Sequence, residues 1–167
     1  MDTLSIALLL ILLHPFAQPL APSSGAAARP QAPPQKELYP ANADAKKEID
    51  EALHSALPAH KRVLVVFGAN WCFDCHALDD AFHSAEIAPI LQKYFMVVHV
   101  DIGHGEKNSA LAQKYEVPLK RGIPAIAVLD AAGKLLFSQK NGEFEAARSL
   151  ANADILASLN KWKPASP

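Results

Sequence analysis

Cysteine is nearly absent from this 167-residue chain, which holds two, Cys72 and Cys75, three positions apart. Two cysteines so close cannot staple a scaffold, so whatever the pair does is local. Aromatic residues are few, at 7%. Neither sign of charge dominates: 16 basic against 17 acidic side chains leave a formal charge of −1. A nucleic-acid binder would carry a basic stripe, so no nucleic-acid partner is expected. The longest apolar run, residues 4–13, is shorter than the roughly 20 residues a membrane-spanning helix needs. What the chain does have is proline, 13 in all, more than half of them before Asn42. It also has 50% hydrophobic residues. The part after the prolines, about 120 residues, is long enough for one domain with its own core.

The apolar run 4–13 ends at Pro15, and small residues follow at Ala21 and Ala26 to Ala28. Residues 1–28 therefore read as a secretory signal, cut somewhere in 21–28. Asp2 near the amino terminus and the long stretch before Ala28 leave an uncleaved N-terminal anchor as the alternative. Both place the rest of the chain outside the cytoplasm, with the bacterial periplasm as the expected compartment. Residues 29–43 are rich in Pro and Ala and read as a semi-rigid linker. The domain is expected over 44–163, as a monomer.

Within it, Ala45, Ile49, Leu53, Ala56 and Leu57 recur at helical spacing, and Pro58 stops the pattern. The run RVLVVFGA at 62–69 has no polar alternation and suits a central strand buried on both faces. Leu78 and Phe82 predict a helix after the cysteines, and Ile87, Ile90, Leu91 and Tyr94 a second short one. Residues 95–102 read as a strand, 108–115 as a helix, and 125–130 as a strand. A turn at Ala131–Gly133 leads to an antiparallel partner, KLLFSQ. Ile155, Leu156, Leu159 and Trp162 close the chain on one helical face. The order predicts an α/β fold with a mixed central sheet and helices on both faces.

The cysteines lie in Asn70-Trp71-Cys72-Phe73-Asp74-Cys75-His76, at the junction of the buried strand and its helix. A helix N-terminus presents unpaired N–H groups and partial positive charge, both favouring a thiolate. Cys72, at that end, should have the lowered pKa and act as nucleophile. Cys75, almost one turn further in, can attack a mixed disulfide formed on Cys72. The pair would then work as a redox-active disulfide, with no bound cofactor or metal.

The strand VLVVFGA, the motif Trp71-Cys72-Phe73-Asp74-Cys75, and Arg121-Gly122-Ile123-Pro124 ahead of AIAVLD together resemble the thioredoxin superfamily. The resemblance covers roughly residues 46–163 and is strongest to extracytoplasmic bacterial members such as the C-terminal periplasmic domain of DsbD. It implies a thiol:disulfide oxidoreductase acting on protein disulfides or dithiols. It also implies that Pro124 is cis and packs on the cysteine pair, with Trp71, Ile123 and Pro124 forming the substrate groove. The isoleucine before Pro124 is similar to reducing members, so a reductase is expected, fed by a DsbD-like membrane electron donor. Many thioredoxins carry a buried acid six residues before the first cysteine, where this chain has Val66. Asp74 is then the nearest candidate to accept the proton of Cys75, or else a solvated acid of the first turn. His76, Lys120 and Arg121 either tune the Cys72 thiolate or are ordinary solvated groups.

Two other readings use the same residues. Cys72-x-x-Cys75-His76 also spells a c-type haem attachment pattern, though the flanking strand and the Ile-Pro loop have no role in it. Two thiolates with His76 could handle Cu(I) or Zn, though no second Cys/His cluster is visible.

Overall fold

The computed structural model describes residues 36–165. The signal or anchor expected over 1–28, and the linker up to residue 35, lie outside the described residues.

Helix α1 (Ala45–Ala56) starts where the Asp44 carboxylate accepts a hydrogen bond from the Lys47 backbone N–H at 3.0 Å, an N-cap that satisfies one of the helix's free donors. It is followed by β1 (Arg62–Gly68), α2 (Phe73–Phe82), α3 (Ala88–Tyr94), β2 (Phe95–Asp101) and α4 (Ser109–Lys114). A 3-10 turn at Leu119–Arg121 leads to β3 (Ala125–Leu129) and β4 (Leu135–Ser138). A second 3-10 turn, Ala147–Ser149, precedes α5 (Asn152–Trp162). The sheet order is β2-β1-β3-β4. β1 runs parallel to β2 and antiparallel to β3, and β3 is antiparallel to β4.

Period-two alternation divides the core into two layers. Val63, Val65 and Phe67 of β1, with Ala125, Ala127 and Leu129 of β3, face α1 and α4 on one side. Leu64 and Val66, with Ile126 and Val128, face α2, α3 and α5 on the other. Because β1 and β3 are covered on both faces, neither shows a polar alternation. This is the expected mixed sheet with helices on both faces. Val66 lies in the second layer, buried among aliphatic neighbours.

One boundary differs from the expectation. Composition assigns residues 29–43 to a spacer, yet Leu38 and Tyr39 are buried and cluster with Cys72 and Cys75. Residues 36–43 thus belong to the folded domain, because two apolar side chains among prolines suffice to dock a short segment.

Candidate active site

β1 ends at Gly68, and the chain turns tightly into α2. The Cys72 N–H donates to the Ala69 carbonyl at 3.0 Å. Cys72 is the N-cap of α2, and its Sγ accepts from the Cys75 backbone N–H at 3.1 Å. A helix start that aims a donor at this sulfur would stabilise a thiolate there. Cys72 and Cys75 form a disulfide, and both are buried, with 5% and 2% of their surface exposed.

The loop before β3 closes over the pair. Gly122 has φ 123°, a backbone region unfavourable to other residues, so a glycine makes this turn. The Ile123–Pro124 peptide is cis, and the Ile123 carbonyl oxygen lies 3.7 Å from Cys72 Sγ. Ile123 also packs on the cluster of Leu38, Tyr39, Cys72 and Cys75. Pro124 is buried. Around the disulfide, Trp71 is 50% and Phe73 63% exposed. The Trp71 indole is held flat, its Nε1 donating to the Gly103 carbonyl at 2.8 Å and its ring stacked on His104. Two exposed aromatic rings thus lie beside the disulfide.

The remaining candidates are placed differently from one another. Asp74 faces the 3-10 turn at 147–149. Its Oδ1 accepts from the Arg148 backbone N–H at 2.9 Å and from the Arg148 Nε at 3.2 Å, and its Oδ2 lies 3.1 Å from the guanidinium. Burial pushes the Asp74 carboxyl up, but these hydrogen bonds and the guanidinium charge outweigh it and hold it below the ordinary aspartate value. A carboxylate so engaged is a weak base, which argues against Asp74 as the proton acceptor for Cys75. His76 turns its Nε2 to the Asn70 carbonyl at 2.8 Å. Lys120 and Arg121 are exposed in the 3-10 turn and make no ion pair among the described residues.

Sequence reasoning passed over four residues around the pair. The Asn70 side chain accepts from the Leu38 and Tyr39 N–H groups at 3.0 Å and donates to the Tyr39 carbonyl at 2.7 Å. It thereby binds the segment before α1 against the start of α2. Asp79 is 4% exposed, and Lys36 Nζ contacts it at 2.9 Å, with His83 and His99 3.6 and 3.7 Å away. Its position was visible in the pattern: 75, 78, 79 and 82 share one helical stripe. Tyr39 was hidden by its proline-rich surroundings, and Arg148 by its sequence distance from Asp74. A cavity of about 300 Å³ lies beyond Asp79, among Phe82, His83, Leu91, Phe95 and His99, and is lined by neither cysteine. Among the described residues no group of three or more His, Cys, Asp or Glu is arranged to hold a metal.

A thioredoxin-like family model matches residues 44–131. The chain belongs to the thioredoxin-like family. Among curated proteins it is similar to the protein disulfide-isomerase of Triticum aestivum, 35% identical over 82 residues, which are 47% of this chain and 15% of that one. The chain thus corresponds to a small part of that relative's length. A solved structure described as the disulphide isomerase of Xylella fastidiosa Temecula1 is 36% identical, with TM-score 0.71 over 75% of this chain and 96% of that one. The C-terminal domain of Neisseria meningitidis DsbD is 17% identical, with TM-score 0.48 over 71% of this chain and 96% of that one. A likeness at that level does not tie this thioredoxin-like chain to any one branch of the superfamily.

Proposed function

We propose that this thioredoxin-like protein is a thiol:disulfide oxidoreductase that reduces protein disulfides through Cys72 and Cys75, outside the cytoplasm. The observation that carries the reading is the Cys72–Cys75 disulfide at the N-terminus of α2, with the Ile123 carbonyl 3.7 Å from Cys72 Sγ. Cys72 is the sulfur nearer the helix end and the Ile123 backbone, which is the geometry of an attacking thiol next to a strand-like docking edge. Its thiolate would attack a substrate disulfide to give a mixed disulfide. Cys75 would then attack Cys72 Sγ, forming the intramolecular disulfide and releasing reduced substrate. Trp71, Phe73, Ile123 and Pro124 would hold the substrate segment.

The reducing direction is supported by burial. Cys72 packs against Leu38, Tyr39 and Ile123, and an apolar surround raises the cost of its thiolate, favouring the disulfide form of the protein. The extracytoplasmic placement is supported by the apolar run 4–13 and the small residues after it. A reductase there needs electrons from a membrane donor, for which a DsbD-like protein is suited. The protein would act as a monomer, without metal or cofactor.

A second reading, an isomerase or oxidant, is favoured by two features that stabilise the Cys72 thiolate. These are the Cys75 N–H aimed at Cys72 Sγ and the neutralisation of Asp74 by Arg148. The names of the Triticum and Xylella relatives agree with it. The reduction potential of the couple, measured against a glutathione series, decides between them. A reductase should lie near the roughly −270 mV of thioredoxins, and a value near about −180 mV would select the isomerase.

A further inference from the structure

Among the described residues, the buried side-chain oxygen or nitrogen left without a hydrogen-bond partner is the hydroxyl of Tyr39. Tyr39 is 1% exposed, and an unpaired buried hydroxyl is unfavourable. Its position is nonetheless firmly set. Asn70 holds the Tyr39 backbone through both its N–H and its carbonyl, and Lys36 anchors the same segment on Asp79.

The hydroxyl lies beside Gly68, at the end of β1. A Cβ on Gly68 would collide with the Tyr39 hydroxyl and would sit 2.8 Å from Cys75 Sγ. The space that Gly68 leaves open is therefore shared by the phenol oxygen and the second sulfur. In this oxidised state the hydroxyl makes no hydrogen bond to Cys75 Sγ. A Cys75 thiolate would be a strong acceptor.

We propose that Tyr39 donates a hydrogen bond to the Cys75 thiolate once the disulfide opens, stabilising that thiolate at a site where Val66 leaves no buried acid to take the proton. This rests on the reading of Cys75 as the resolving thiol. In that step the Cys75 thiol first loses its proton to water. The Cys75 thiolate, held by the Tyr39 O–H, attacks Cys72 Sγ. The Cys75–Cys72 bond forms, the bond from Cys72 to the substrate sulfur breaks, and the electron pair leaves on that sulfur, which takes a proton from water. The two protein thiols are oxidised by two electrons and the substrate disulfide is reduced by two. Tyr39 keeps its proton throughout.

The groups that face Tyr39 suit a donor and not a base. Burial raises its pKa above the ordinary tyrosine value, and the carboxylates of Asp79 on α2 and Asp101 on β2 raise it further. His99 on β2 meets its ring edge-on at 5.3 Å, and Lys36 balances the charge of Asp79. The pH dependence near neutrality therefore reports Cys75, not the phenol.

The test is the ionisation of Cys75 in the full chain carrying Cys72→Ser, followed by thiolate absorbance and by alkylation rate against pH. Tyr39→Phe removes only the hydroxyl and keeps the ring. It should move the Cys75 profile up by about one pH unit, the scale of one hydrogen bond to a charged group. In the chain with both cysteines, it should slow resolution of a mixed disulfide about tenfold at pH 7. Thermal unfolding of the disulfide form should be unchanged or higher, because no hydrogen bond is lost there. Tyr39→Met, a flexible apolar filler, should give the same upward shift should the Phe variant fold poorly. An unchanged Cys75 profile in a folded variant overturns the proposal. The profile is read without substrate, so failure of Cys75→Ser to trap substrate would count against the oxidoreductase reading and leave the Tyr39 result standing.

Discussion

Arg148 grips Asp74 twice, with its backbone N–H at 2.9 Å and with its guanidinium at 3.1 to 3.2 Å. One residue thus docks the turn at 147–149 onto the first turn of α2 and neutralises the acid that sits between the two cysteines in sequence. Arg148→Ala should leave that carboxylate bare beside the helix end, raise the Cys72 pKa and make the couple more reducing. A rise of one pKa unit corresponds to about 30 mV, and solvent screening makes 10 to 30 mV the expected range. The measurement is a glutathione redox titration. Stability should fall by about 1 kcal/mol, since the guanidinium is mostly exposed.

The same pair has a pH signature. The Asp74 carboxyl is held below its ordinary value, so its contribution is full above the unfolded aspartate pKa of about 3.9 and is lost as pH falls through the folded value. Unfolding free energy measured between pH 5 and 2 should therefore fall less steeply in Asp74→Asn than in the parent chain.

His99 acts at higher pH in the same sense but from a different cause. Burial pushes its pKa down against the pull of the Asp79 carboxylate, so the folded state prefers the neutral ring. Stability is then full above about pH 6.5, the unfolded value, and declines below it until the folded pKa is passed. His99→Gln should flatten the stability curve in that window. An unaltered curve would mean that another group carries the dependence.

Asn70→Ala removes three hydrogen bonds to residues 38 and 39 at once. The segment should detach locally at a cost of about 1 to 3 kcal/mol. Amide hydrogen exchange should show protection lost at Leu38 and Tyr39 first, with reduced Cys75 becoming easier to alkylate. Uniform loss of protection across β1 and β3 would instead indicate general destabilisation.

The nucleophile assignment is tested by trapping. Cys75→Ser should accumulate mixed disulfides with protein substrates through Cys72, and Cys72→Ser should not. The reverse pattern would exchange the roles of the two sulfurs.

Much of the fold was legible because its signals are local. The unbroken apolar run at 62–68 marks a strand covered on both faces, and Leu78 with Phe82 marks a helix packed on the sheet. The Cys-x-x-Cys pair stands at the strand-to-helix junction, so its place at a helix N-terminus followed from adjacent residues. The segment 36–43 is not legible, for the opposite reason. Its composition resembles a spacer, and nothing nearby announces that Asn70 receives it.

By itself, the sequence determined the element order, the two-faced burial of β1 and β3, and the presentation of Cys72 at the start of α2. Each depends on residues within a few positions, through periodicity, β-branching and the free N–H groups of a helix end. Only the tertiary structure decided what surrounds the sulfurs. Arg148 reaches Asp74 across 74 positions and Asn70 reaches Tyr39 across 31, and no local pattern encodes such pairings. The hydroxyl of Tyr39 comes beside Cys75 because Gly68 has no side chain and the chain before α1 folds back over it. That juxtaposition arises from packing in three dimensions, where the chemistry of one residue is set by neighbours remote in sequence.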